Sequence, residues 1–219
     1  MKLYVVPTPI GNLKDITLRS LEILSNVNYI ICEDTRRTRV LLDHYGIKNK
    51  RLISYFSPRE EQKIPIILKI LEKEDIALTV DSGMPGISDP GYRLIKSSLD
   101  YGAVIEVLPG PSAFLTALIG SGLPTDKFLF LGFLPKKGLE NYFQKFKNLN
   151  VTIIFYESSK RILKTLKILK NVFNTGQTVI ARELSKIHEN YLRGEINELI
   201  KILETQELKG ELTIIFNQR

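Results

Sequence analysis

The sequence predicts an α/β protein built as two α/β lobes. Three observations carry the prediction. The chain has 219 residues, enough for one large domain or two small ones. Short apolar runs alternate with amphipathic helical patterns along its whole length. The alternation is punctuated near Gly120–Thr125, where Gly, Ser, Gly, Leu and Pro follow one another. The boundary is therefore drawn after residue 119, giving an N-terminal lobe, 1–119, and a C-terminal lobe, 120–219, joined by a short linker.

In the first lobe the apolar run Lys2–Val6 reads as a strand and meets the loop Pro7-Thr8-Pro9-Ile10-Gly11-Asn12. A helix follows at Thr17–Ser25, then a strand at Asn28–Cys32. Glu33-Asp34-Thr35-Arg36-Arg37 opens the helix Thr35–Tyr45, with Asp34 or Thr35 as its N-cap. Strand Arg51–Tyr55 and helix Glu60–Glu72 come next. Strand Ile76–Val80 ends in Asp81-Ser82-Gly83-Met84-Pro85-Gly86-Ile87-Ser88-Asp89-Pro90-Gly91, and Asp89 is read as capping the helix Gly91–Tyr101. Strand Ala103–Leu108 runs into Pro109-Gly110-Pro111-Ser112-Ala113, and Ser112 is read as capping the helix Ser112–Ile119.

In the second lobe, strands read at Phe128–Phe133, Val151–Tyr156, Thr178–Arg182, Tyr191–Arg193 and Glu211–Phe216. Helices read at Leu139–Asn148, Lys160–Phe173 and Ile196–Thr205. The Lys160–Phe173 segment puts Ile162, Leu166, Leu169 and Phe173 on one stripe and Lys160, Lys164 and Lys167 on another, the pattern of a helix packed on a sheet.

Composition excludes several classes. Hydrophobic residues make up 43% and charged residues 25%, which rules out disorder, collagen and a disulfide scaffold. No apolar run approaches the roughly 20 residues that span a bilayer, and the N-terminus lacks a signal-peptide layout. Cys32 is the only cysteine and His44 and His188 the only histidines, so no zinc site is expected. A reducing cytoplasmic setting fits this usage.

The net charge of +7 is uneven. Residues 1–115 carry 15 Lys+Arg and 14 Asp+Glu; residues 116–219 carry 16 and 10. Between Lys136 and Lys170 nine basic residues face only Glu140 and Glu157, and Tyr142, Phe143, Phe146, Phe155 and Tyr156 are interleaved with them. Such a patch can neutralise phosphates and stack bases. A lysine-rich solvated helix face is the competing reading.

The chemistry is expected in the loops, because open α/β sheets bind ligands at the carboxyl ends of their strands. The first loop lacks G-x-G-x-x-G and no P-loop is present, so a nicotinamide cofactor and nucleotide hydrolysis are both disfavoured. An acid at a strand end, such as Asp81, can face an amine or a ribose hydroxyl. Ala181-Arg182-Glu183-Leu184-Ser185-Lys186-Ile187-His188-Glu189 packs five ionisable groups after a strand, as a site or as a surface salt-bridge cluster.

Together the loops resemble a known family. Thr8–Leu13, Glu33–Arg36, Ile87–Tyr92, Pro109–Ala113, Ser121–Thr125, Phe155–Ser158 and Ala181–Leu184 occur in that order. They are similar to the tetrapyrrole-methylase-like (class III) S-adenosylmethionine methyltransferases, and within them to the branch that methylates the ribose 2′-oxygen of a cytidine in 16S rRNA of the small ribosomal subunit. The resemblance covers nearly the whole chain. It implies a tetrapyrrole-methylase fold, a cofactor cleft between the lobes and a homodimer. It implies cofactor contacts from Thr8, Pro9, Gly11, Asp81, Gly83, Met84, Gly86, Ser112, Ala113, Tyr156 and Ala181.

Three departures stand out. The branch more often has Ala, Thr and Leu or Ala where this chain has Ser82, Met84 and Gly86. A His-Glu pair often follows the third strand, where this chain reads Ser54-Tyr55-Phe56-Ser57-Pro58-Arg59-Glu60. Many relatives also continue beyond the point matching Arg219, so RNA contacts from such an extension are not expected here.

Methylation of a ribose hydroxyl needs in-line placement of the oxygen and removal of its proton. Glu33, Asp34, Arg36, Arg182, Glu183, Lys186 and His188 are the candidates. Of these Glu33, Arg36, Arg182, Glu183 and His188 are preferred: His188 for its ordinary pKa, Glu183 as orienter or base, and the arginines for phosphate or oxyanion. Two competing expectations are another class III methyltransferase acting on a tetrapyrrole or protein, and an RNA-binding assembly module with a relict cofactor pocket.

Overall fold

A computed structural model describes residues 1–56 and 60–218. Ser57, Pro58 and Arg59, which stand where the His-Glu pair was sought, lie outside the described residues, as does Arg219. The chain divides into two compact units, Met1–Ser112 and Ala113–Arg219. The division falls before the helix Ala113–Ser121, whereas the boundary after residue 119 places nearly all of that helix in the first lobe. The helix packs on the second unit's sheet: Phe114 stacks on Phe130 with ring centroids 4.3 Å apart.

The first unit holds β1 (Lys2–Val5), α1 (Leu18–Asn26), β2 (Tyr29–Cys32), α2 (Thr35–His44), β3 (Arg51–Ser54), α3 (Glu60–Leu71), β4 (Ile76–Leu78), α4 (Tyr92–Asp100) and β5 (Val104–Val107). The five strands are all parallel, in the order β3-β2-β4-β1-β5. A parallel sheet needs cover on both faces, and the apolar runs supply it. Ile30 and Ala77 point to one side and pack with Leu24 of α1 and Leu42 of α2. Their neighbours Ile31 and Leu78 point to the other and pack with Ile67 of α3 and Leu94 of α4. From β1 the chain passes over β4 to β2, and from β4 it passes over β1 to β5. The connections after the neighbouring strands β1 and β4 therefore leave in opposite directions across the sheet, the topological position at which such sheets bind ligands.

The second unit holds α5 (Ala113–Ser121), β6 (Phe128–Phe133), α6 (Leu139–Gln144), β7 (Thr152–Ser158), α7 (Ile162–Phe173), β8 (Gln177–Arg182), β9 (Asn190–Glu195), α8 (Ile196–Thr205) and β10 (Glu211–Asn217). Its sheet runs β6-β7-β10-β8-β9, parallel between β6 and β7 and antiparallel elsewhere. The core on one face joins Phe143, Phe155, Leu166, Leu169, Ile180, Leu199 and Ile214 from sheet, α6, α7 and α8. Paired registers set Phe133, Tyr156, Thr213, Ala181 and Tyr191 in one row on the other face, where α5 lies.

Two expectations change here. The helix Leu139–Asn148 ends at Gln144, and the chain then tightens into i→i−3 bonds from Phe146, Lys147 and Leu149. Phe143 and Phe155, read as partners of a base-stacking patch, are fully buried, and Tyr142 and Phe146 pack against the same core. The α7 stripe Ile162, Leu166, Leu169 and Phe173 is buried as its period requires. Among the described residues no helix is long and apolar enough to cross a membrane.

Candidate active site

The first unit brings three loops together at the carboxyl edge of its sheet. The loops after β1 and β4 form a short antiparallel bridge: the Thr8 N–H donates to the Gly83 carbonyl (2.9 Å) and the Gly83 N–H to the Thr8 carbonyl (3.1 Å). The buried Thr8 hydroxyl donates to the Val80 carbonyl (3.0 Å). Gly83 adopts φ +82°, a conformation that favours glycine. The loop after β5 closes on the first, because a β-carbon on Gly110 would lie 2.8 Å from the Pro7 Cβ. Pro9 and Gly11 belong to the first of these loops, Met84 and Gly86 to the second, and Ser112 ends the third, directly before α5.

Four carboxylates come from two adjoining strand ends and the β4 loop. Asp34 caps α2, accepting from the Arg36 N–H (2.9 Å) and gripping the Arg36 guanidinium at 3.0 and 2.6 Å. These bonds hold its carboxyl down at about 2. The Asp34 N–H donates to Asp81 Oδ1 (3.1 Å), and Arg37 stands 3.4 Å from Asp81 Oδ2. Glu33 and Asp81 are both raised above the ordinary carboxylate range, first by burial; the Asp81 charge raises Glu33 further. Asp89 is raised most, to about 6, by burial and then by the charges of Glu33 and Asp81.

Asp89 is not the cap that the sequence suggested. α4 begins at Tyr92, Gly91 is its N-cap, and no side chain caps it. Ser88 at φ +62° and Gly91 at φ +145° turn the loop so that Asp89 shares the neighbourhood of Glu33 and Asp81. Sequence reasoning missed it because Asp-Pro-Gly reads equally well as turn chemistry. The one available signal was the chain's other acids at strand ends.

In the second unit, Ala181 and Arg182 end β8, and the 183–189 turn follows. Glu183 sits at φ +51° with its carboxylate turned inward. It accepts from the Glu211 N–H (2.8 Å) and from Lys186 Nζ (3.0 Å), and its side chain fills the space beside Gly210. These donors lower its pKa, so at neutral pH it is an ionised structural acceptor and a weak base. Arg182 Nε donates to the Lys209 carbonyl (2.5 Å). His188 is exposed on the turn. Tyr156 packs edge-on to Phe130 (5.1 Å) and tilts against Phe133 (5.2 Å). Ala113 opens α5. Glu33, Arg36 and the cofactor candidates of residues 8–112 thus share one edge of the first unit. Arg182, Glu183 and His188 share one turn of the second.

The donor set of the first unit suits a cationic, hydroxyl-bearing ligand. Asp81 and Asp89 offer acceptors for an ammonium group or a ribose diol and offset a positive centre, while the glycines expose backbone. Among the described residues no three His, Cys, Asp or Glu side chains are placed to hold a metal ion together.

Comparison with known proteins agrees with this architecture. Residues 2–200 match the family model for Tetrapyrrole (Corrin/Porphyrin) Methylases. The chain is 48% identical to Ribosomal RNA small subunit methyltransferase I of Hydrogenobaculum sp. (strain Y04AAS1), covering 100% of this chain and 96% of that protein. It is 42% identical to the protein of the same name from Thermotoga maritima, covering 99% and 98%. Among solved structures, uroporphyrin-III C-methyl transferase from Thermus thermophilus complexed with S-adenosyl homocysteine superposes with a TM-score of 0.69. The match has 17% identity over 98% of this chain and 97% of that one.

Proposed function

The chain belongs to the tetrapyrrole (corrin/porphyrin) methylase family, and we propose that it methylates the 16S rRNA of the small ribosomal subunit, using S-adenosylmethionine. The acceptor in this reading is the ribose 2′-oxygen of a cytidine. The observation that carries the rRNA reading is likeness along essentially the whole chain to relatives named as ribosomal RNA small subunit methyltransferases; the cytidine 2′-oxygen comes from the resemblance of the loop motifs alone. The enzyme acts in the cytoplasm, as a homodimer.

When bound, S-adenosylmethionine supplies a methyl group activated by a sulfonium centre. The residues we propose as its contacts are Thr8, Pro9, Gly11, Asp81, Gly83, Met84, Gly86, Ser112, Ala113, Tyr156 and Ala181. What the chain must add is placement of the hydroxyl and a home for its proton. Glu33 is the acceptor of that proton: it directly follows β2, and burial raises its carboxyl above the ordinary carboxylate value. Methyl transfer to the hydroxyl oxygen would release its proton, and Glu33 would take it up. Arg36 and Arg182 neutralise backbone phosphates beside the target. Glu183 is a positioning residue, holding the turn that presents Arg182 and His188.

The test is transfer of labelled methyl to small subunits from cells lacking this enzyme, with naked rRNA and a tetrapyrrole precursor alongside and the product mapped by nuclease digestion. Label on a cytidine ribose is expected. Label only on the tetrapyrrole would replace the substrate while keeping the family chemistry. Glu33→Gln should lower kcat at least 100-fold with cofactor affinity retained, the scale of a lost general base.

A further inference from the structure

α7 and α8 face each other across a groove of about 690 Å³ on the second unit. Lys167, Lys170 and Asn171 line one wall, spaced i, i+3 and i+4 along α7. Asn197, Lys201 and Glu204 line the other, spaced i, i+4 and i+7 along α8. Each set therefore falls on one helix face. Three ammonium groups meet one carboxylate here. Lys167 pairs with Glu204 at 2.6 Å, while Lys170 and Lys201 form no ion pair among the described residues. The Asn197 Oδ1 is buried with no hydrogen-bond partner, an uncommon state for an amide oxygen.

These features ask for one kind of ligand. Two unpaired ammonium groups attract anions. An orphaned oxygen needs a donor, which a bare phosphate cannot supply. The sugar–phosphate backbone of RNA carries both, a phosphate on each nucleotide and a 2′-hydroxyl that donates beside it. DNA carries only the first.

We propose that the α7–α8 groove docks the sugar–phosphate backbone of the substrate RNA, with Lys170 and Lys201 on phosphates and Asn197 on a ribose 2′-hydroxyl. It rests on the reading of the protein as an rRNA methyltransferase and adds where the RNA is gripped. It also replaces the aromatic patch expected from sequence: Tyr142, Phe143, Phe146 and Phe155 lie in or against the core and Tyr156 packs on the opposite sheet face, whereas the charges of α7 stay outside.

The test uses the full chain as K170Q/K201Q and, separately, as N197A. Binding to a 16S rRNA fragment is titrated against salt, and S-adenosylhomocysteine binding and melting are followed as controls. Each lost phosphate contact should reduce the magnitude of the salt slope by about 1. Between 50 and 200 mM salt the wild type should then lose about 10-fold more affinity than the double variant. Methyl transfer should show a raised KM for RNA with kcat unchanged. N197A should narrow the preference for RNA over DNA of the same sequence. An unchanged slope in a wild type that binds and methylates RNA overturns the groove and leaves the enzyme reading intact. A wild type that neither binds nor methylates the RNA overturns both. Loss confined to assembled subunits, with naked RNA bound normally, would point to an acidic ribosomal protein and overturn the RNA assignment.

Discussion

Gly120 lies within α5 and touches the Tyr191 ring. A β-carbon there would sit 2.5 Å from Tyr191 Cζ and 2.7 Å from Cε1, with the hydroxyl oxygen closer still. Carbon atoms settle at 3.5–4.0 Å, so the ring would have to retreat by roughly 1 Å. It is not free to do so. Its hydroxyl donates to the Thr116 carbonyl (3.4 Å), and the Arg193 guanidinium stands 4.8 Å from its centroid. Gly120→Ala should therefore destabilise the protein by about 1–3 kcal/mol, the usual range for overpacking. For a chain of this length that is roughly 2–4 °C in Tm per kcal/mol. In a Tyr191→Ala background the obstacle is gone, and only the helix preference for alanine remains, worth about 0.5–1 kcal/mol in the opposite direction. The same substitution should change sign between backgrounds, with a coupling of about 1.5–4 kcal/mol. Urea and thermal unfolding of the four proteins by circular dichroism measure it. A Gly120→Ala penalty of equal size in both backgrounds would refute the contact as its cause.

Asp89→Asn should stabilise the protein at neutral pH by up to about 2–3 kcal/mol, since the carboxyl ionises in the unfolded chain near its ordinary pKa but only near 6 when folded. The folded state loses that share of stability as pH rises from 4 through 6, so unfolding at pH 4 should show wild type and variant alike, and unfolding at pH 7.5 should separate them. Glu157 is 5% exposed and accepts from the Ser158 N–H (2.7 Å) and the Thr165 hydroxyl (2.7 Å), with Arg161 at 3.5 Å. Glu157→Ala should cost about 2–4 kcal/mol by stranding those donors, read from the urea midpoint at unchanged m-value. Gly110→Ala drives a β-carbon into the Pro7 ring and should cost about 1–3 kcal/mol. It should also weaken S-adenosylhomocysteine binding about 10-fold or more in calorimetry, while an unaltered affinity would detach the Pro7–Asn12 loop from the cofactor.

What the sequence made legible follows from locality. The 3.6-residue stripe of Ile162, Leu166, Leu169 and Phe173 and the run Ile30-Ile31-Cys32 announce their elements because each is decided by neighbours in the chain. The order β3-β2-β4-β1-β5 was not legible, because it joins strands about a hundred residues apart in the case of β1 and β5. The candidate site divides the same way. Gly83 and Gly110 were visible as loop glycines, but only three-dimensional packing shows that they lock the β1 loop between its neighbours. In the sequence Glu183 reads as an orienter or a base, or as one member of a surface salt-bridge cluster. Its left-handed backbone, unmarked by glycine or asparagine, turns it inward onto Glu211 and Lys186. The lysines of α7 were visible, but the second wall of their groove comes from α8, some thirty residues on.

Both sheets place a terminal strand of the chain in their interior. β1 lies between β4 and β5, and β10 lies between β7 and β8. During synthesis, β1 waits for its first partner, β4, until residue 78 has been added, and keeps its other edge open until residue 107, roughly 5–20 s at ordinary elongation rates. The second sheet is split until residues 211–217 arrive to bridge its halves. A nascent chain of either unit therefore holds apolar strand edges open for most of its translation, and a stall shortly before residue 211 would release a product with its second sheet in two pieces. Early termination is thus far more damaging to this protein than an equally long deletion at a surface loop.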